Sequence, residues 1–359
     1  MNILAVTAYC AAGCNSGSPG GESMHVLACD CETGRIEIVK TVRGVQGTTY
    51  FALSGDGGML YSIVRLADPP ARRSAVVAFP VLPGGNIGRM RTVAELPCEA
   101  PCHISLSPDG RRLGFAAYTS ATAGTVDLAG GKVASVVHSD ELKGPNAKRQ
   151  DKAHAHCAFF TPDGTRLGVV DLGLDRIFFY EPGTMRRDDS MTVATAPGLG
   201  PRHVVFSRDG RFMFVVHELG SAVSSYAFDG RSFRLVCTKS TLPAGWSGET
   251  KAAAIKLTDD GSLLMASNRG HDSIAFFAVD AATGDLEPKG IAPLKGRFPR
   301  DFQLMPGERF MIVGHKMSDE IQVYRFDRES CSLEPAGDPV KAWKPLCFVF
   351  TGRKEGRNG

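Results

Sequence analysis

The sequence has no apolar stretch approaching the about 18 residues that a membrane-crossing helix needs, so no transmembrane span is expected. Nor has it a block of like charge. Its 41 Lys and Arg stand against 38 Asp and Glu, and the net charge of +3 is not gathered into a basic run. No nucleic-acid or membrane-surface partner is therefore expected. Tryptophan is scarce, with only Trp246 and Trp343, which leaves little aromatic surface for a protein-docking rim. Helical heptads, low-complexity linkers and composition breaks are also missing. The 359 residues thus read as one domain spanning 1–359.

The ten cysteines do not form paired CxxC motifs. Several sit inside apolar runs, such as Cys29 in HVLAC (25–29) and Cys347 in LCFVF (346–350). Free buried thiols follow, which suit a reducing compartment, and a cytoplasmic location is expected. His154 and His156 lack a third ligand at metal-binding spacing, so no metal is expected, and no other cofactor. The string AAGC (11–14) resembles a lipoprotein cleavage box, but no Lys or Arg precedes it. A strand over Ile3–Tyr9 is the reading instead.

What the sequence has in quantity is glycine, 41 residues, and a repeated hairpin. Five segments align: YFALSGDGGMLYSIV (50–64), HISLSPDGRRLGFAAY (103–118), CAFFTPDGTRLGVVD (157–171), HVVFSRDGRFMFVVH (203–217) and AIKLTDDGSLLMASN (254–268). A sixth, DFQLMPGERFMIVGH (301–315), places Pro-Gly in the turn. Each is an apolar run, a turn on Asp-Gly or its equivalent, and a second apolar run. The turn glycines fall at 57, 110, 164, 210, 261 and 307, which is 46 to 54 residues apart. A period of about 50 residues with four strands per unit denotes propeller blades. Runs such as FMFVV are apolar on both faces, as strands wedged between neighbouring blades must be.

A seventh blade is split between the termini. Ile3–Tyr9, Met24–Cys29 and Arg35–Val42 supply three strands, and PLCFVF (345–350) supplies the inner one. The chain is therefore expected to be all-β: a seven-bladed β-propeller whose ring is closed by its N- and C-terminal strands.

In an antiparallel hairpin, the residue before the first strand lies beside the residue after the second. Arg202 should then meet Glu218. Applied round the ring, this rule gathers Arg65, His103, Tyr118, His154, His156, Asp171, Arg202, His217, Glu218, Asn268, Arg269, Arg300 and His315 at one mouth of the central channel. Several arginines facing one pocket suit a carboxylate or phosphate, and a His with a Glu offers a proton donor and acceptor. Asp171, followed by Leu-Gly-Leu-Asp175, reads as a structural turn. Arg202 with Glu218 reads equally as a structural ion pair.

The strings APCHISLSPDG (100–110), HAHCAFFTPDG (154–164), DLGLDRIFFY (171–180), GPRHVVFSRDG (200–210), SNRGHDSIAFF (267–277) and FPRDF (298–302) together resemble the lactonase family of seven-bladed propellers over essentially the whole length. That family includes propeller-type 6-phosphogluconolactonase and the fungal carboxy-cis,cis-muconate lactonizing enzyme. The resemblance implies a catalytic set of His154, Arg202, Glu218 and Arg269. His103, His156, His217, Glu249, Asn268, Arg300 and His315 would bind substrate, with Glu249 matching a Gly-Glu string of the family. The pattern departs at His217, Ala254, Lys256 and His315, which bears on the substrate rather than the fold.

The expected reaction is hydrolysis of a small anionic sugar lactone such as 6-phosphogluconolactone. Arg202 and Arg269 would bind the anion and polarise the carbonyl, while Glu218 and His154 would share the proton transfers. Cyclisation of a muconate-like diacid and a non-catalytic binding module are the alternatives. No oligomeric state follows from the sequence.

Overall fold

A computed structural model describes residues 5–66, 74–138 and 143–351. They form seven antiparallel sheets. Blade five shows the plan: strands Pro201–Phe206, Phe212–His217, Ala222–Phe228 and Phe233–Ser240 pair in that order, from inside to outside. The inner strands of successive blades touch one another round a closed ring. Pro345–Thr351 supplies the inner strand of blade one and pairs with Ala8–Cys14, so the two ends of the chain close the ring as expected.

The hairpin turns repeat in detail. Gly110 donates its N–H to Ser107 O at 2.9 Å, and Gly164, Gly210 and Gly261 do the same to the residue three back. The Asp before each glycine takes a hydrogen bond from the Ser or Thr that opens the turn, at 2.6 Å from Ser107 and from Thr161. The last turn residue needs φ near +70°, which glycine adopts without cost (Gly110 φ +69, Gly164 φ +71). In the sixth hairpin Glu308 takes this conformation, with φ +55.

Blade-to-blade packing explains the doubly apolar strands. In Phe212–His217, Phe214 and Val216 pack towards blade six, while Met213 and Val215 pack towards blade four. Burying a phenylalanine such as Phe214 contributes about 1.5–3 kcal/mol, and cutting it to alanine would cost about 3–5 kcal/mol.

Blade one departs from expectation. Its second strand is Ala8–Cys14, not Ile3–Tyr9. Residues 3 and 4 lie outside the described residues, and Ala5 and Val6 are exposed. The pairing selects small side chains over bulky ones here. A Cβ on Gly13 would lie 2.1 Å from Thr48 O, so glycine is required at that position against the adjoining blade. The AAGC string is thus buried strand. The other two strands of this blade run Glu22–Cys29 and Ile36–Arg43.

Candidate active site

Two features of the hairpins build the channel mouth. The first is a one-residue bulge in the inner strand. Pairing slips between Pro101 and His103, Ala155 and Cys157, Pro201 and His203, and Pro299 and Asp301. The skipped residues are Cys102, His156, Arg202 and Arg300. A bulge re-aims its extra side chain, and Cys102, Arg202 and Arg300 line one central cavity. The second feature is the residue just past the second strand. Glu218 N donates to Gly200 O at 2.7 Å, and Lys316 N donates to Phe298 O at 3.1 Å. Glu218 therefore stands to Arg202 as Lys316 stands to Arg300.

Glu218 is the hub. Arg149 Nη2 reaches it at 2.5 Å, Arg269 Nη2 at 2.8 Å and Arg202 Nε at 3.0 Å. Burial opposes its ionisation, but Arg269 and Arg202 outweigh burial and hold the carboxyl well below the usual glutamate value. Arg202 is itself buried, and its Nη1 donates to Ala253 O at 2.6 Å. Arg269 donates to the backbone oxygens of Lys251 and Ala252. His156 Nε2 lies 4.0 Å from Glu218, beyond hydrogen-bond reach. Burial and Arg202 push its imidazole well below the usual value, so it is neutral near pH 7.

Arg300 and Lys316 complete the mouth without a carboxylate partner among the described residues. Burial, then Arg202 and Arg269, lowers Arg300 to about 9. Burial, then Arg300 and Arg269, lowers Lys316 to about 8. Arg149, Arg202, Arg269, Arg300 and Lys316 thus gather round Glu218, while Asp301, which lines the same cavity, faces Lys256 at 3.6 Å. Below them the rings of Tyr50, His103 and His203 pack at 4.1 to 5.6 Å and plug the channel. The cavity above the plug holds about 10 Å³, roughly room for one water. His103 is lowered to about 3 by burial and Arg202.

His154 stands one layer back. Its ring stacks on Tyr118 at 4.1 Å and 7°, with Nδ1 at 3.1 Å from Tyr118 O and Nε2 at 3.1 Å from Asp151. Tyr118 OH accepts from Arg149 at 3.3 Å. Asp171 serves as a turn anchor, as expected. It accepts N–H bonds from His154, Gly173 and Leu174, and its other oxygen meets His138 Nδ1 at 2.6 Å.

The structure does not bring four of the expected substrate-binding residues to this cluster. His217 turns into blade five and meets Ser224 Oγ at 2.7 Å. His315 meets Tyr324 OH at 3.0 Å within blade seven. Asn268 bonds Thr241 and Ser273. All three precede the mouth residue by one position, and a one-residue step turns a side chain to the opposite face. Glu249 is exposed on the loop before Lys251. Arg65, gathered by the same hairpin rule, is also exposed. Two mouth residues went unseen in the sequence. Lys316 takes the place assigned to His315, and the hairpin rule applied one residue further finds it. Arg149 lies in a patternless loop and left no signal.

The chain matches the family described as lactonase, 7-bladed beta-propeller, over residues 5–350. A Bacillus subtilis protein named 6-phosphogluconolactonase is 28% identical over 340 residues, covering 92% of this chain and 95% of that one. A periplasmic gluconolactonase from Pseudomonas aeruginosa superposes with a TM-score of 0.86 at 27% identity, over 96% of this chain and 99% of the other. A putative 6-phosphogluconolactonase from Bacteroides uniformis gives 0.82 at 26% identity, over 96% and 99%. The chain belongs to the lactonase family of seven-bladed β-propellers.

Proposed function

We propose that this protein hydrolyses a small anionic sugar lactone, with a phosphorylated aldonolactone such as 6-phosphogluconolactone as the leading substrate. The observation that carries this reading is the charge imbalance at the mouth. Arg149, Arg202 and Arg269 converge on the single carboxylate of Glu218, and Arg300 and Lys316 are left for a ligand to neutralise. A neutral sugar lactone would leave those two cations unmatched.

Arg300 holds the anionic group in this reading. Arg202 and Arg269 face the lactone carbonyl and stabilise the oxyanion as water adds, a contribution worth about 10²–10³-fold per donor. Glu218 keeps both guanidinium groups aimed and accepts a hydrogen bond from the attacking water. Its depressed pKa makes it an orienting group more than a proton store. His154, with both nitrogens engaged, positions Tyr118 and through it Arg149. The family resemblance of the relatives named 6-phosphogluconolactonase supports the same substrate class.

The test is acid release at pH 7 from a panel of sugar lactones, phosphorylated and not, corrected for spontaneous opening. The expected result is turnover of the phosphorylated members, and its loss in Arg269→Gln with the melting profile of a folded propeller. No turnover of any lactone, or equal turnover of neutral and anionic ones, overturns the reading.

A further inference from the structure

We propose that Lys316 is a catalytic residue of this site, donating the proton that the lactone ring oxygen takes up as the ring opens. The inference rests on the lactonase reading above and gives Lys316, which enters that reading only as an unmatched cation, a part in the chemistry. Three observations support it.

The first is position. Lys316 occupies in blade seven the place that Glu218 occupies in blade five, fixed by the same backbone bond past the second strand. The pairs Pro201 with His217 and Pro299 with His315 set the two hairpins in one register. The second is partnership. No carboxylate among the described residues pairs with Lys316, which is half-buried. The charged groups that act on it most strongly are cations: Arg300 on the inner strand of its own blade, Arg269 of blade six, Lys344 on the approach to the closing strand, and Arg202 of blade five.

The third is the protonation of the neighbouring groups. Glu218 is ionised, and His156, His103 and His203 are neutral by burial. The arginines hold their protons near neutral pH. Burial and the facing cations bring Lys316 to about 8, so at pH 7 it is charged yet able to part with a proton.

The step balances. Water adds to the carbonyl carbon and loses one proton to solvent, giving a tetrahedral oxyanion. The carbonyl re-forms, the bond from that carbon to the ring oxygen breaks, and its electron pair goes to the oxygen. The oxygen takes the Lys316 proton and becomes a hydroxyl. The carboxylic acid so formed ionises and the neutral amine regains a proton from solvent, so the net products are the hydroxy acid anion and one proton.

The sign of the pH dependence follows. The charged form is active, so kcat at saturating substrate is level below about 8 and falls above it, whereas loss of charge on Arg300 near 9 acts on KM. The experiment measures kcat and KM between pH 7 and 10, corrected for background, for wild type, Lys316→Arg and Lys316→Gln, with melting curves as folding controls. Lys316→Arg should shift the alkaline fall beyond pH 10 and lower kcat at pH 7. Lys316→Gln should lose the fall in kcat and about 10²-fold or more in kcat itself, with a rise in KM smaller than that loss. An alkaline fall unmoved in Lys316→Arg, or a Lys316→Gln defect confined to KM, overturns the proposal while leaving the lactonase reading intact. Wild type inactive on every lactone overturns both.

Discussion

Arg202 and Glu218 meet at 3.0 Å because Pro201 pairs with His217, so the bulged residue after the first and the exit residue after the second lie side by side. Both side chains are buried, and Arg149 and Arg269 converge on the same carboxylate. Such a cluster is costly to break. Removing one member of a buried ion pair typically costs about 3–5 kcal/mol.

Glu218→Gln tests this directly. The folded carboxyl titrates well below the unfolded value of about 4.3. Its contribution to stability is therefore full above about pH 4.3 and is lost as pH falls through the folded value. Melting temperatures of wild type and variant between pH 3 and 7 check the sign. The variant should melt lower at pH 7, and the gap should close as the medium becomes acidic. A gap that stays constant with pH would show that the carboxylate's charge is not what stabilises the cluster.

Arg300→Gln should behave in the opposite way. The guanidinium is desolvated and repelled by Arg202 and Arg269, with no carboxylate of its own among the described residues. Its removal relieves that strain, so the melting temperature should rise by about 1–3 °C. The same change deletes a charged hydrogen-bond donor to the anion, worth about 1.5–3 kcal/mol, or roughly 10–150-fold. Calorimetry with inorganic phosphate should show that loss in affinity, and KM for an anionic lactone should rise with it. A variant that melts lower and binds phosphate as well as wild type would refute the assignment of Arg300 to the ligand.

The repeat made the fold legible because each Ser/Thr-x-Asp-Gly turn builds its own hydrogen bonds and so must appear in the sequence. The Arg202–Glu218 pair was legible too, since it follows from hairpin pairing alone. What stayed hidden turns on single-residue slips. A bulge leaves no mark on an apolar pattern, so His217 and His315 read as mouth residues although Glu218 and Lys316 hold that place. Arg149 reaches Glu218 from a loop with no periodicity, and only the folded chain brings it there. Ala8–Cys14 was missed because close packing there prefers small residues, whereas apolar bulk pointed to the exposed Ala5 and Val6.

That slip makes His217→Ala and His315→Ala a useful contrast with the mouth residues. His217 links Ser224 and, through it, Thr238 at 2.8 Å, which ties three strands of blade five. His315 anchors Tyr324 in blade seven. Each loss should cost about 1–3 kcal/mol of stability. Neither ring reaches the Glu218 cluster, so kcat/KM at 25 °C should be unchanged. Thermal melts and lactone kinetics on the same preparations separate the two effects. A fall in kcat/KM without a fall in melting temperature would return these histidines to the site.

Ring closure gives the last expectation. Pro345–Thr351 pairs with Ala8–Cys14 and also touches the inner strands of blades two and seven. Leu346, Cys347 and Phe348 are buried there, and Phe348 N donates to the buried Asp301 at 3.0 Å. A chain ending at Lys344 would lose that hydrogen bond and the apolar contacts on both sides. It would also expose the backbone edge of Ala8–Cys14, a template for pairing with another chain. Such a truncation should be recovered as aggregate or as an expanded monomer without a cooperative melt, whereas a chain ending at Gly352 keeps the strand and should fold. Size-exclusion chromatography and circular dichroism on the two lengths decide the matter. A Lys344 truncation that elutes as a compact monomer with wild-type melting would mean that six blades hold without the closing strand.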